Sequence, residues 1–96
     1  MTYHFENPNV TWIGTGDMTN RLLNENGEPV TPKHCYIYNA AGTTSDDVVS
    51  TTVVNGGCYV KWKGPNRAAR GIGAWLTDNA TNENAVAGFV VDTQAK

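Results

Sequence analysis

The sequence predicts an all-β fold, a single small antiparallel β-sandwich or barrel of about seven short strands. Three observations lead there. Its polarity comes from twelve threonines and eleven asparagines rather than from charge, since only 17% of its 96 residues are charged. The usual helix formers are scarce, with three Leu, two Met and one Gln in the whole chain, while Thr and Val suit strands and Asn suits turns. Apolar residues alternate at period two in short runs that Gly, Pro and Asn interrupt.

Taken in order, residues 9–13 (NVTWI) alternate Val10 and Trp12 against Thr11 and Ile13, and Gly14 and Gly16 end the run. A second run at 20–23 enters Asn24-Glu25-Asn26-Gly27 and returns through Pro29 and Val30. The Asn-Gly pair predicts a hairpin, because Gly27 can take a positive φ. Residues 34–39 (HCYIYN) set Cys35 and Ile37 on one face and His34, Tyr36 and Tyr38 on the other. Residues 40–47 form a small-residue loop.

The run 48–54, VVSTTVV, has high β propensity and neither charge nor proline. On an open edge it would invite aggregation, so it is expected in the middle of a sheet or beneath a partner. Asn55-Gly56-Gly57 turns the chain into 58–63, where Cys58, Val60 and Trp62 face in and Tyr59, Lys61 and Lys63 face out. Residues 72–77 (IGAWLT) and 85–91 (AVAGFVV), joined by DNATNEN, complete the series.

One domain, 1–96, is expected from the length, with a core limited by burial of only about 60–65% of the unfolded surface. The net charge of −2 gives no overall field toward nucleic acid or an anionic membrane, so neither is an expected partner. No apolar run approaches the ~20 residues of a membrane helix. The first residues lack a basic and apolar leader, which predicts synthesis in a host cytoplasm without a signal peptide. Combined with a composition typical of extracellular modules, this predicts a protein released by lysis within a virion, or else a fragment of a larger exported chain.

The run LLNENGEPVTPKHCYIYN, residues 22–39, resembles a hairpin of Ig-like and related β-sandwich modules in phage virion proteins and bacterial adhesins: strand, polar turn ending in glycine, proline, strand. It covers about a fifth of the chain. The resemblance implies a sandwich scaffold with a structural or adhesive role and carries over no functional residue.

Catalytic and cofactor chemistry finds little to work with. Gly71-Ile72-Gly73 lacks the third glycine of a dinucleotide loop and leads into a strand pattern, and no Walker motif is present. His34 and Cys35 are adjacent on a strand, so they point to opposite faces and form no nucleophile–base pair. Neither Ser45 nor Ser50 lies in a GxSxG elbow. Asp46-Asp47, and Asp78 with Glu83, sit in or beside turns rather than in a cleft. His4, His34, Cys35 and Cys58 lack zinc spacing, and Asp78, Asn82 and Glu83 lack a calcium-loop pattern. No catalytic residue, metal or cofactor is therefore expected, and the protein is expected not to be an enzyme. Cys35 and Cys58 read as small buried hydrophobes, free at synthesis, with a disulfide open to them after release. If their strands pair, it would close a loop of about 24 residues, worth near 3 kcal/mol.

Four of the seven basic residues, Lys61, Lys63, Arg67 and Arg70, lie within ten positions. The loop 64–73 exceeds the roughly two to five residues usual in hairpins and reads as a protruding basic arm. The favoured function is a non-enzymatic virion structural protein, a phage capsid decoration or cement protein. It would dock on neighbouring capsid subunits, or on copies of itself, through Lys61, Lys63, Arg67 and Arg70, with Trp75 as an apolar anchor. The alternative is a glycan-binding or adhesive module that uses Tyr36, Tyr38 and Tyr59 on a shared sheet face.

Overall fold

A computed structural model describes residues 3–13, 15–39, 48–62, 69–76 and 85–92. Among them run eight strands: β1 (His4–Phe5), β2 (Asn9–Ile13), β3 (Gly16–Leu23), β4 (His34–Asn39), β5 (Val49–Val54), β6 (Gly57–Trp62), β7 (Ala69–Trp75) and β8 (Ala85–Asp92). They form two four-stranded sheets, ordered β1-β3-β6-β5 and β2-β8-β7-β4. The expected all-β sandwich is what the chain forms. Every pairing is antiparallel except β2 with β8, which run parallel from Asn9↔Gly88 to Ile13↔Asp92.

The eighth strand, β1, is two residues long and too short to show a period. It pairs with the end of β3, and the chain then leaves the first sheet at Glu6 and Asn7 to enter the second as β2. Asn20, 1% exposed, fixes that crossing. Its Oδ1 accepts from the Asn7 N–H at 3.0 Å and its Nδ2 donates to the Asn7 carbonyl at 2.9 Å. A buried amide with both ends bonded avoids the cost of an orphaned polar group.

The core lies between the sheets. Phe5, Leu22, Cys58 and Val60 are fully buried and belong to one cluster with Ile37, Val49, Trp62, Ile72 and Ala74. Inward positions follow the period-two pattern, including Cys35 and Ile37 on β4 and Cys58, Val60 and Trp62 on β6. Few of these side chains are large, and a core of this size needs reinforcement. Cys35 and Cys58 supply it as a disulfide with Cα atoms 6.1 Å apart. Their strands do not pair: β4 and β6 belong to different sheets, so the bridge ties one sheet to the other across the interior.

Two turns use glycine for a physical reason. Gly27 has φ 81° and Gly56 φ 88°, a region that a side chain disfavours. Gly27 closes the turn begun by Asn24, whose side-chain oxygen also accepts from the N–H groups of Asn26 and Glu28. The return at Pro29 is a lone bridge to Leu23 and not a strand, since proline has no N–H to continue a ladder.

Three strand expectations change. β3 begins at Gly16, four residues before the run read from sequence, and β7 begins at Ala69, three residues before. The VVSTTVV run, read as central or partner-covered, forms β5 at one end of its sheet, paired to β6 alone among the described strands.

Candidate binding face

The outer surface of the second sheet is where β4 and β7 meet. Cross-strand partners there are His34↔Trp75, Tyr36↔Gly73 and Tyr38↔Gly71. With Cys35 and Ile37 committed to the core, alternation sends His34, Tyr36 and Tyr38 outward. With Ile72 and Ala74 buried, it sends Gly71, Gly73 and Trp75 outward with them.

Glycine decides how the rings lie. A Cβ built at Gly71 would overlap the Tyr38 ring, and one at Gly73 would overlap the Tyr36 ring. Both tyrosines therefore lie down across β7 and cover its backbone, so the two glycines are buried on an outer face. His34 stacks on Trp75 with centroids 4.5 Å apart, Tyr36 sits 5.2 Å from Trp75, and Tyr36 and Tyr38 are 5.9 Å apart. The result is a contiguous row of four rings over β4 and β7, with His34 stacked face to face on Trp75 and all but the exposed His34 half-buried. The indole N–H of Trp75 is buried without a hydrogen-bond partner.

The outer face of the first sheet is different in character. Asp17, Arg21 and Lys61 are exposed there. Arg21 grips the Glu6 carboxylate through two bonds of 2.8 and 2.7 Å. That bond, with the charge behind it, lowers the Glu6 pKa and raises that of Arg21. The Tyr59 hydroxyl donates to Asp17 at 2.5 Å, and this hydrogen bond is the main cause of a raised Tyr59 pKa.

Of the residues expected at a basic docking arm, three are described: Lys61, Arg70 and Trp75. Lys61 is exposed on β6, whereas Lys63 and Arg67 lie outside the described residues. Arg70 is not in a loop: it is the second residue of β7, 8% exposed, on the inward face with Ile72 and Ala74. Gly71 to Gly73 are likewise strand, so the expected arm 64–73 loses this end. Trp75 belongs to the aromatic strip. Tyr36 and Tyr38 share a face, but Tyr59 is on β6 in the opposite sheet, so the expected trio is split.

His34, Gly71 and Gly73 complete the strip and were not read as site residues. The signal was a pair of matching patterns, His-x-Tyr-x-Tyr and Gly-x-Gly-x-Trp, whose partnership depends on register. Both cysteines are consumed by the disulfide. Among the described residues no group of three or more His, Cys, Asp or Glu is placed to hold a metal ion.

Solved structures share this arrangement. A titin M4 domain, in a trigonal crystal form, superposes with a TM-score of 0.52 at 9% identity, covering 98% of this chain and 91% of its own. Titin domain I10 gives 0.50 at 9% identity, covering 98% and 100%. The fold is Ig-like. No protein-family model matches the chain, and no curated protein sequence matches it. The Ig-like order, with β1, β3, β6 and β5 in one sheet, corresponds to strands A, B, E and D, and β4 and β7 correspond to C and F. In antibody domains the inter-sheet disulfide joins B to F. Here it joins the C-type strand β4 to the E-type strand β6.

Proposed function

We propose that this Ig-like sandwich is a non-enzymatic structural protein of a virion, most concretely a phage capsid decoration protein that docks on neighbouring shell subunits. One observation carries the reading: β5, uncharged and free of proline, stands at the end of its sheet among the described strands. Exposed edges are ordinarily blunted by charge, proline, a bulge or a covering element, because their backbone groups are a template for another strand. The sequence of residues 50–54 in this strand has no charge or proline to prevent such pairing.

A strand or surface of a neighbouring subunit supplies the cover. Lys61, on β6 beside β5, is the register partner of Ser50 and gives the contact a cation; Lys63 and Arg67 follow it in sequence and extend the basic character. The inter-sheet disulfide suits service outside a reducing cytoplasm.

Co-sedimentation of the purified protein with undecorated capsids tests the reading. Exposed Thr52→Lys on the edge and Lys61→Glu beside it should each reduce bound protein while leaving the circular dichroism spectrum unchanged. Absence of binding by the unaltered chain, or binding indifferent to both changes, overturns it.

A further inference from the structure

We infer that the outer face of β4 and β7 is a platform for a neutral carbohydrate, with Tyr36, Tyr38, Trp75 and His34 as its stacking surface. This goes beyond the docking reading and uses the opposite sheet, so either can fail alone.

Aromatic residues on an outward sheet face need a reason, because water-facing positions of a half-exposed sheet ordinarily carry polar side chains. Covering Gly71 and Gly73 explains why rings lie flat, as cross-strand aromatics can shield glycine backbone. It explains less well why the row continues through Trp75 and His34, which face each other with no glycine between them. The continuous feature is a row of rings whose inner faces rest on backbone or on one another.

The chemistry of the strip selects the ligand. Its four ring side chains carry no carboxylate, ammonium or guanidinium. The exposed Lys33 adjoins them at the start of β4, its backbone N–H donating to the Trp75 carbonyl, whereas Glu6, Asp17, Arg21 and Lys61 all belong to the other sheet or its border. A charged partner would be better met there. The strip is apolar on its ring faces and carries its accessible polarity in the tyrosine phenols and the exposed imidazole of His34, whereas the Trp75 indole N–H is buried. A pyranose has the complementary layout: C–H groups on its faces and hydroxyls at its edge. Aromatic residues with an apolar body and a polar handle suit such mixed surfaces. Proline-rich peptides also use aromatics, but they dock in grooves between rings. Here the tyrosines lie across β7 with glycine beneath, and His34 is stacked against Trp75 so that no slot separates those two rings.

The test is amide and indole NMR of the full chain titrated with soluble β-linked oligosaccharides of glucose, N-acetylglucosamine and galactose, and with a polyproline peptide. At least one sugar should shift the Trp75 indole signal and the amides of β4 and β7. Tyr38→Ala and the exposed His34→Ala should each weaken that sugar about tenfold, the loss of one stacked ring, and Tyr38→Phe should retain most of the affinity. Tyr59→Phe and Lys61→Glu, on the other sheet, should leave it unchanged. No shift with any sugar, shifts confined to the other sheet, insensitivity to His34→Ala and Tyr38→Ala, or a response to polyproline alone overturns the assignment.

Discussion

Tyr36 occupies the space that a side chain at Gly73 would need. The two are cross-strand partners of β4 and β7, and a Cβ at Gly73 would overlap the ring. The tyrosine thus acts as the outward side chain of two positions, one on each strand.

Gly73→Ala should therefore destabilise the fold, although alanine is normally the better residue in a strand. Displacing a packed ring costs about 1–3 kcal/mol by overpacking. Urea denaturation should show the lowered midpoint. The same substitution in a Tyr36→Ala background should cost distinctly less, giving a coupling that a double-mutant cycle resolves. Equal costs in both backgrounds would mean that the ring and the glycine are independent.

This pairing also shows where sequence reading succeeds and where it stops. Period two assigned Cys35, Ile37, Cys58, Val60 and Trp62 to the core correctly, because alternation reports which face of its own strand a side chain takes. It does not report which sheet a strand joins. Tyr59 was grouped with Tyr36 and Tyr38 by spacing alone, yet β6 and β4 lie in opposite sheets. The same limit hid the geometry of the disulfide, which joins facing rather than paired strands.

Arg70 and Gly71 read as loop because charge and glycine ordinarily mark exposed, irregular chain. Here the side-chain space of Gly71 and Gly73 is filled by residues more than thirty positions earlier in sequence, and Arg70 is drawn inward by the alternation of β7. Neither fact is local. The edge position of β5 is a property of topology as well, although its uncharged sequence had already signalled that such a position would require cover.

Removing the disulfide should reveal how much of the stability it provides. The cysteines are 23 residues apart, and in the chain-entropy account a loop of that size is worth about 3 kcal/mol. Paired Cys35→Ala and Cys58→Ala substitution should lower the urea midpoint by a corresponding amount, plus a smaller loss for the buried sulfurs. Reductant should shift the unaltered protein in the same direction and leave the double variant unmoved. A midpoint indifferent to reductant would deny the bridge a stabilising role.

Acid should weaken the crossing from β1 to β2. Glu6 has its pKa lowered by the Arg21 hydrogen bond, opposed by a lesser desolvation effect and helped by the Arg21 charge. A carboxylate with a depressed folded-state pKa contributes stability above its unfolded pKa and loses it as pH falls through the folded value. Both partners are substantially exposed, so the effect on unfolding is small and salt-sensitive. NMR titration should find the Glu6 carboxyl midpoint below the ordinary glutamate value, and Arg21→Gln should restore it. A midpoint unmoved by that substitution would refute the assignment.

At the alkaline end the sign reverses. The Tyr59 hydroxyl donates to Asp17, and its pKa is raised first by that bond, then by desolvation and by the Asp17 charge. The neutral phenol is the form that the folded state favours. Its contribution is fully present below the unfolded tyrosine pKa and disappears as pH rises through the higher folded value. Ring signals of Tyr59 should titrate above the usual value of about 10, and Asp17→Asn should bring the midpoint down by removing the carboxylate. Because Asp17 is on β3 and Tyr59 on β6, ionisation of the phenol sets two like charges across adjacent strands. Hydrogen exchange of the Met18 and Val60 amides beside this pair should then rise at alkaline pH in the unaltered protein and respond less in Tyr59→Phe. Equal responses in the two proteins would show that the contact does not support this part of the sheet.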